Sequence, residues 1–237
     1  MKRTLALLLS LLLAPLTALH AADPLPEIKP LLGERGDVVF TEAFDGPSAK
    51  PLEVIPAAKS EIAEGAVRLL KRPEVTHPGI AFIYGKERMP LGDFILEADF
   101  RWDDGQSLSF QFTKPGKTEH GVPPEFFIRF GRPKDPTQPG YWDITDNSPR
   151  TTVGKHVATF TPGQWYCVMI EVRNGEVAVQ ISNGQSLRGK CNLASTPKRP
   201  PQIGGLKQMP KTSQSAEFAG HYVDDVRLTL ARRPLLP

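Results

Sequence analysis

The sequence predicts an all-β protein, an antiparallel sandwich, and three observations carry that expectation. Twenty-four prolines and 20 glycines punctuate the 237 residues, and no long stretch shows helical periodicity. Short runs rich in Val, Ile, Phe and Tyr recur between turn residues, the pattern of strands stacked in two layers. Within those runs apolar and polar side chains alternate, so each strand has one face to bury and one to show.

At the start, Met1-Lys2-Arg3 is basic, and an apolar run from Leu5 to Leu19 is broken only by Ser10, Pro15 and Thr17. His20-Ala21-Ala22 then supplies small residues at a cleavage point. Residues 1–22 therefore read as a secretory signal peptide. The run falls short of the roughly 20 apolar residues a transmembrane helix needs. A secreted or periplasmic protein is expected. Without Lys2 and Arg3, 27 basic residues face 26 acidic ones. A net charge near balance gives no reason to expect nucleic acid or an anionic membrane as partner. Proline-rich residues 23–36 read as an extended linker, 37–231 as a single sandwich domain and 232–237 as a tail.

The strands follow in order. In "FILEADFRW", Phe94, Leu96, Ala98, Phe100 and Trp102 alternate with Ile95, Glu97, Asp99 and Arg101. In "SLSFQFT", Leu108, Phe110 and Phe112 point inward, leaving Ser109 and Gln111 outside. In "EFFIRF", Phe126, Ile128 and Phe130 point inward, with Glu125, Phe127 and Arg129 outside. The outer residues of these last two strands suit a ligand rich in hydroxyl groups, with Phe127 as an aromatic platform. "GYWDITDN" reads as a proline-bounded loop carrying Tyr141, Trp142, Asp143 and Asp146. An indole there can stack on the C–H side of a sugar while carboxylates bind hydroxyls.

"WYCVMIEVRNGEVAVQISNGQSLRG" gives the most detailed expectation. Asn174-Gly175 is a two-residue hairpin turn, because both positions tolerate positive φ. It pairs Val172 with Val177, Ile170 with Val179 and Val168 with Ile181, so apolar residues meet throughout. A three-residue loop around Asn183-Gly184 would then place Leu187 beside Ile181, completing a meander. In this register Cys191 lies level with Val177, on the opposite face from Cys167 and about 17 Å from it at strand rise. A disulfide needs Cα atoms within about 7 Å, so none is expected. In the closing "HYVDDVRLTL", Asp224 falls on the inward row with Val226, Leu228 and Leu230, and Asp225 on the outward row. A carboxylate at the edge of a core needs donors or a cation.

"VVFTEAFDG", "PGQWYCVMIEVRNGEVAVQISNG" and "VDDVRLTL" together resemble jelly-roll sandwiches of the concanavalin A-like lectin and glucanase type. More narrowly they resemble the 3-keto-disaccharide hydrolase domain, over roughly residues 37–230. The resemblance implies an exported protein that handles sugars. "QSLSFQF" and "EFFIRF" stand where that family carries its active-site strands, with Glu125 matching the start of the second. Such modules often hold a structural calcium between first and last strands, which makes Asp224 a candidate ligand with Glu42 or Asp45. The alternative for Asp224 is hydrogen bonding to backbone amides, with no cofactor required.

Two functions follow from these residues. One is a carbohydrate-binding or interaction module using Ser109, Gln111, Phe127, Arg129, Tyr141 and Trp142. The other is a hydrolase of glycosides or 3-keto-glycosides, in which Glu125, Asp143 and Asp146 supply the two carboxylates such chemistry needs. Gly-x-Ser-x-Gly, His-Glu-x-x-His and phosphate-loop motifs are absent from the sequence, and His77, His120, His156 and His221 are isolated in it.

Overall fold

The computed structural model describes residues 25–45, 52–54, 60–69, 79–82, 92–102, 107–113, 125–131, 139–147, 150–158, 160–195, 201–204 and 221–232. The signal peptide, His77, His120 and most of the tail lie outside these residues.

The chain forms strands β1 (Glu34–Glu42), β2 (Leu52–Val54), β3 (Ser60–Ala63), β4 (Ala66–Leu69) and β5 (Gly79–Phe82). Then come β6 (Phe94–Trp102), β7 (Ser107–Phe112), β8 (Phe126–Gly131), β9 (Tyr141–Asn147) and β10 (Arg150–Val157). The rest are β11 (Trp165–Arg173), β12 (Glu176–Ile181), β13 (Ser186–Lys190), β14 (Gln202–Gly204) and β15 (His221–Arg232), with one 3-10 turn at Asn192–Ser195. One sheet runs β13-β12-β11-β6-β15-β4-β3, with β1 also pairing β15, and the other runs β10-β9-β8-β7-β14-β5-β2. The pairings are antiparallel, as expected.

The core forms where the inward rows meet. Phe94, Leu96, Ala98, Phe100 and Trp102 of β6 face Leu108, Phe110, Phe112, Phe126, Ile128 and Phe130 of the seven-stranded sheet. Phe94 meets Phe112 at 5.4 Å between ring centroids, and Phe100 meets Phe130 at 5.2 Å. These are ordinary distances for tilted aromatic pairs.

The Asn174-Gly175 hairpin has the expected register, and both turn residues have positive φ, 50° and 77°. Leu187, however, pairs with Val179. The Ile181 amide donates to the Gln185 carbonyl, so the ladder extends through that pair. The two-residue displacement keeps Leu187 on the inner face. Cys167 lies opposite Ser182 and Cys191 beside Gly175. Seven residues of strand, about 23 Å, therefore separate the two levels, and both thiols are free.

Three further expectations are corrected. "GYWDITDN" is strand β9 in place of a loop, with pairing partners on both sides. The stretch expected as an extended linker, 23–36, overlaps β1 from Glu34, and before that strand Ile28, Lys29, Leu31 and Leu32 hydrogen-bond to Arg35 of β1, Gln180 of β12 and Glu171 of β11. There the Glu171 carboxylate, 1% exposed, accepts the Leu31 and Leu32 amides at 2.6 and 2.8 Å.

Finally, β15 bulges, because Asp224 pairs with Asp99 but Arg227 pairs with Glu97, and Asp225 takes φ 43°. The extra residue reverses the side-chain parity. Val223 and Val226 both join the core, and Asp224 turns to the outer face.

Candidate functional site

The outer face of the seven-stranded sheet collects most of the residues singled out from the sequence. Cross-strand pairing sets Lys155, Asp143, Arg129 and Ser109 in one row over β10, β9, β8 and β7. Thr145, Phe127, Gln111 and Gln202 form the next row, and Val157, Tyr141 and Gly131 a third. Alternation alone places them together, since inward Phe130, Ile144 and Phe110 fix the parity of each strand.

Within this face the polar groups are tied to one another. Arg129 Nη2 donates to Asp143 Oδ2 at 2.6 Å, and the Thr145 hydroxyl donates to Asp143 Oδ1 at 3.3 Å. Gln111 Nε2 donates to Ser109 Oγ at 3.1 Å, and that hydroxyl donates to the Gly204 carbonyl. Ser109, Gln111 and Phe127 are buried, so they offer no open surface. The Phe127 ring therefore lies on the expected face without serving as an exposed platform.

The open part of the face is its Tyr141 end. Tyr141 is half-buried, and its ring lies against the backbone of Gly131, where a Cβ would meet ring carbon Cζ at 2.6 Å. Arg129 Cζ sits 5.2 Å from the ring centroid and Lys155 Nζ 4.5 Å, both within cation–π range. Val157, paired with Tyr141, is 60% exposed and extends the apolar strip.

Other expected site residues part company. Trp142 is fully buried in the core, stacked on Phe130 and on His156, with Nε1 donating to Gln185. It cannot stack on a sugar, because β9 turns that side of the strand inward. Asp146 also lies on the inner side, where it accepts the Cys191 thiol at 3.4 Å. It therefore cannot pair with Asp143 across one ligand. Glu125 shares Asp143's face, but its carbonyl accepts the amide of Asn147, four residues farther along β9. That offset separates the two backbone positions by about 14 Å. Two-carboxylate hydrolysis uses roughly 5–9.5 Å between the acids.

The calcium candidate lies on the opposite sheet. Asp224 lies beside Asp99, and its Oδ1 accepts the Asp225 amide at 2.8 Å. Among the described residues no group of three or more His, Cys, Asp or Glu side chains could hold a metal ion. The hydrogen bond from the Asp225 amide is the kind of contact the backbone-amide reading of Asp224 describes. Burial, with the charges of Asp225 and Asp45, pushes Asp224 up to about 6. Burial first, then the charges of Asp225, Asp224 and Glu97, push Asp99 up to about 6 against the opposing hydrogen bond from Cys167. The Cys167 thiol is itself pushed up to about 12 by burial and by Asp99.

Lys155, Val157 and Gly131 are the site residues that sequence reasoning missed. A register shift between Thr152 and Gly154 interrupts the alternation of β10, which hides the strand in the sequence. A signal was present in Lys155 and Val157, which keep period two beyond the bulge.

No family model matches the chain, and no curated protein matches it. Solved structures do. The CBM2 module of the evolved Dit of Lactobacillus casei BL23 phage J-1 is 8% identical, with TM-score 0.59 over 87% of this chain and 100% of that one. A Bacillus subtilis protein of unknown function with a galectin-like fold is 12% identical, with TM-score 0.58 over 85% and 100%. The exoplasmic/lumenal domain of VIP36, in a Ca2+/Man3GlcNAc-bound form, is 11% identical, with TM-score 0.56 over 83% and 92%. The fold is thus an antiparallel jelly-roll β-sandwich of the galectin-like, concanavalin A-like class. At these identities the likeness defines the architecture.

Proposed function

We propose that this chain is an exported carbohydrate-binding module whose glycan docks at the Tyr141 end of the seven-stranded sheet. The observation that carries it is the Tyr141 ring packed against Gly131, beside Val157 and in reach of Arg129 and Lys155. A sugar needs that combination, an apolar surface for its C–H side and charged donors at the rim for its hydroxyls. Export follows from the reading of residues 1–22, and carbohydrate is the partner proposed in place of nucleic acid or membrane.

A panel of neutral and acidic oligosaccharides tests the reading, scored for retention and for released reducing ends. Retention by the full chain without release, reduced at least tenfold by Tyr141→Ala, is the expected result. Unchanged retention in that variant sinks the site. The second reading, hydrolysis of glycosides or 3-keto-glycosides, is supported by the sequence resemblance and by Asp143 standing on the same face. It requires released ends that disappear in Asp143→Asn.

A further inference from the structure

We infer that the Tyr141 site selects acidic sugars, those bearing a carboxylate or sulfate on the ring, over neutral ones. This rests on the carbohydrate-binding reading and specifies its ligand. The charges at the site do not cancel. Lys155 and Arg129 stand on either side of Asp143 in one cross-strand row. Both oxygens of Asp143 are engaged, Oδ2 by Arg129 and Oδ1 by Thr145. The carboxylate therefore neutralises Arg129 and leaves Lys155 as the net charge.

Lys155 is exposed, and its ammonium is held 4.5 Å from the centre of the Tyr141 ring. A pyranose resting on Tyr141 and Val157 brings the substituent at its edge within reach of that ammonium. A hydroxyl there gains an ordinary hydrogen bond. A carboxylate or sulfate gains a charge-assisted one, about twice as strong. Neutral sugars must also compete with the cation–π contact that holds Lys155 over the ring. An anion instead draws the ammonium outward and frees the ring's face.

The test uses the full chain and four probes: tetragalacturonate, chondroitin sulfate tetrasaccharide, cellotetraose and mannotetraose. Titration calorimetry at low and high salt should show the two acidic probes binding at least tenfold tighter at low salt. Lys155→Gln, at an exposed position, should weaken the acidic probes about three- to tenfold and narrow the gap between acidic and neutral probes. Tyr141→Phe should retain binding and Tyr141→Ala should lose it, with melting curves confirming that each variant is folded. Equal affinity for acidic and neutral probes overturns the selectivity but leaves the carbohydrate reading intact. Acidic binding unaffected by Lys155→Gln overturns the role of this lysine. Failure of all four probes to bind overturns both.

Discussion

Asp99 and Asp224 face each other across β6 and β15, and at this scale the structure makes a pH prediction. Both carboxyls titrate higher in the folded chain than in an unfolded one, where 3.8 is the ordinary value. The folded state therefore binds protons more tightly than the unfolded state between about pH 4 and 6. Stability is greatest below that window and falls as pH rises through it. A two-unit shift on one group amounts to about 2.7 kcal/mol, which solvent screening reduces to about 1 kcal/mol here. Asp99→Asn should therefore stabilise the protein by about 1 kcal/mol at pH 7.5 and change little at pH 4, as read by urea denaturation. The backbone offers a second residue-scale prediction. Asp225 holds φ 43° at the bulge, a region that only glycine enters freely. Asp225→Gly should raise stability by about 0.5 kcal/mol, and Asp225→Val should lower it by more than 1 kcal/mol. The same logic of space applies to Gly131. A valine there occupies the place of the Tyr141 ring, so Gly131→Val should abolish glycan retention while the core stays folded.

Among the elements, the segment before β1 has the clearest energetic role. Its carbonyls and amides meet Arg35, Gln180 and Glu171, and Ile95 and Met169 of the same sheet are fully buried on its outer side. A buried carboxylate that loses its two donors carries a desolvation penalty of several kcal/mol. Deleting residues up to Leu32 should cost about 2–4 kcal/mol and expose the β6 and β11 amides to hydrogen exchange. Glu171→Gln should recover part of a Glu171→Ala loss, because an amide oxygen still accepts one of the two bonds. The hairpin of β11 and β12 was legible in the sequence because Asn-Gly turn chemistry and the apolar alternation agree on one register. β9 was not. Its tyrosine, tryptophan and aspartates between prolines match a surface loop as well as a strand. Only pairing with β8 and β10 turned Trp142 and Asp146 inward and left Tyr141 and Asp143 outside.

For the whole molecule, β15 pairs with β1, β4 and β6, so the last strand joins elements from the opposite end of the chain. Such non-local pairing predicts folding in milliseconds to seconds. With both cysteines free and on different faces, a reducing agent should leave the melting temperature unchanged. The sequence by itself determined the secondary structure of the central strands, their inward rows and the absence of a disulfide. Those follow from period-two alternation and turn residues, which act over a few neighbours. Tertiary structure decided which outer surfaces stay open. Ser109, Gln111 and Phe127 have polar or aromatic patterns suited to a ligand, yet the fold covers them and leaves Tyr141 and Lys155 as the accessible pair. It also decided the facing of Asp224, because a one-residue bulge reverses every side chain beyond it. Alternation states that a side chain leaves the core, whereas only the arrangement of distant segments determines whether water or other chain lies beyond it.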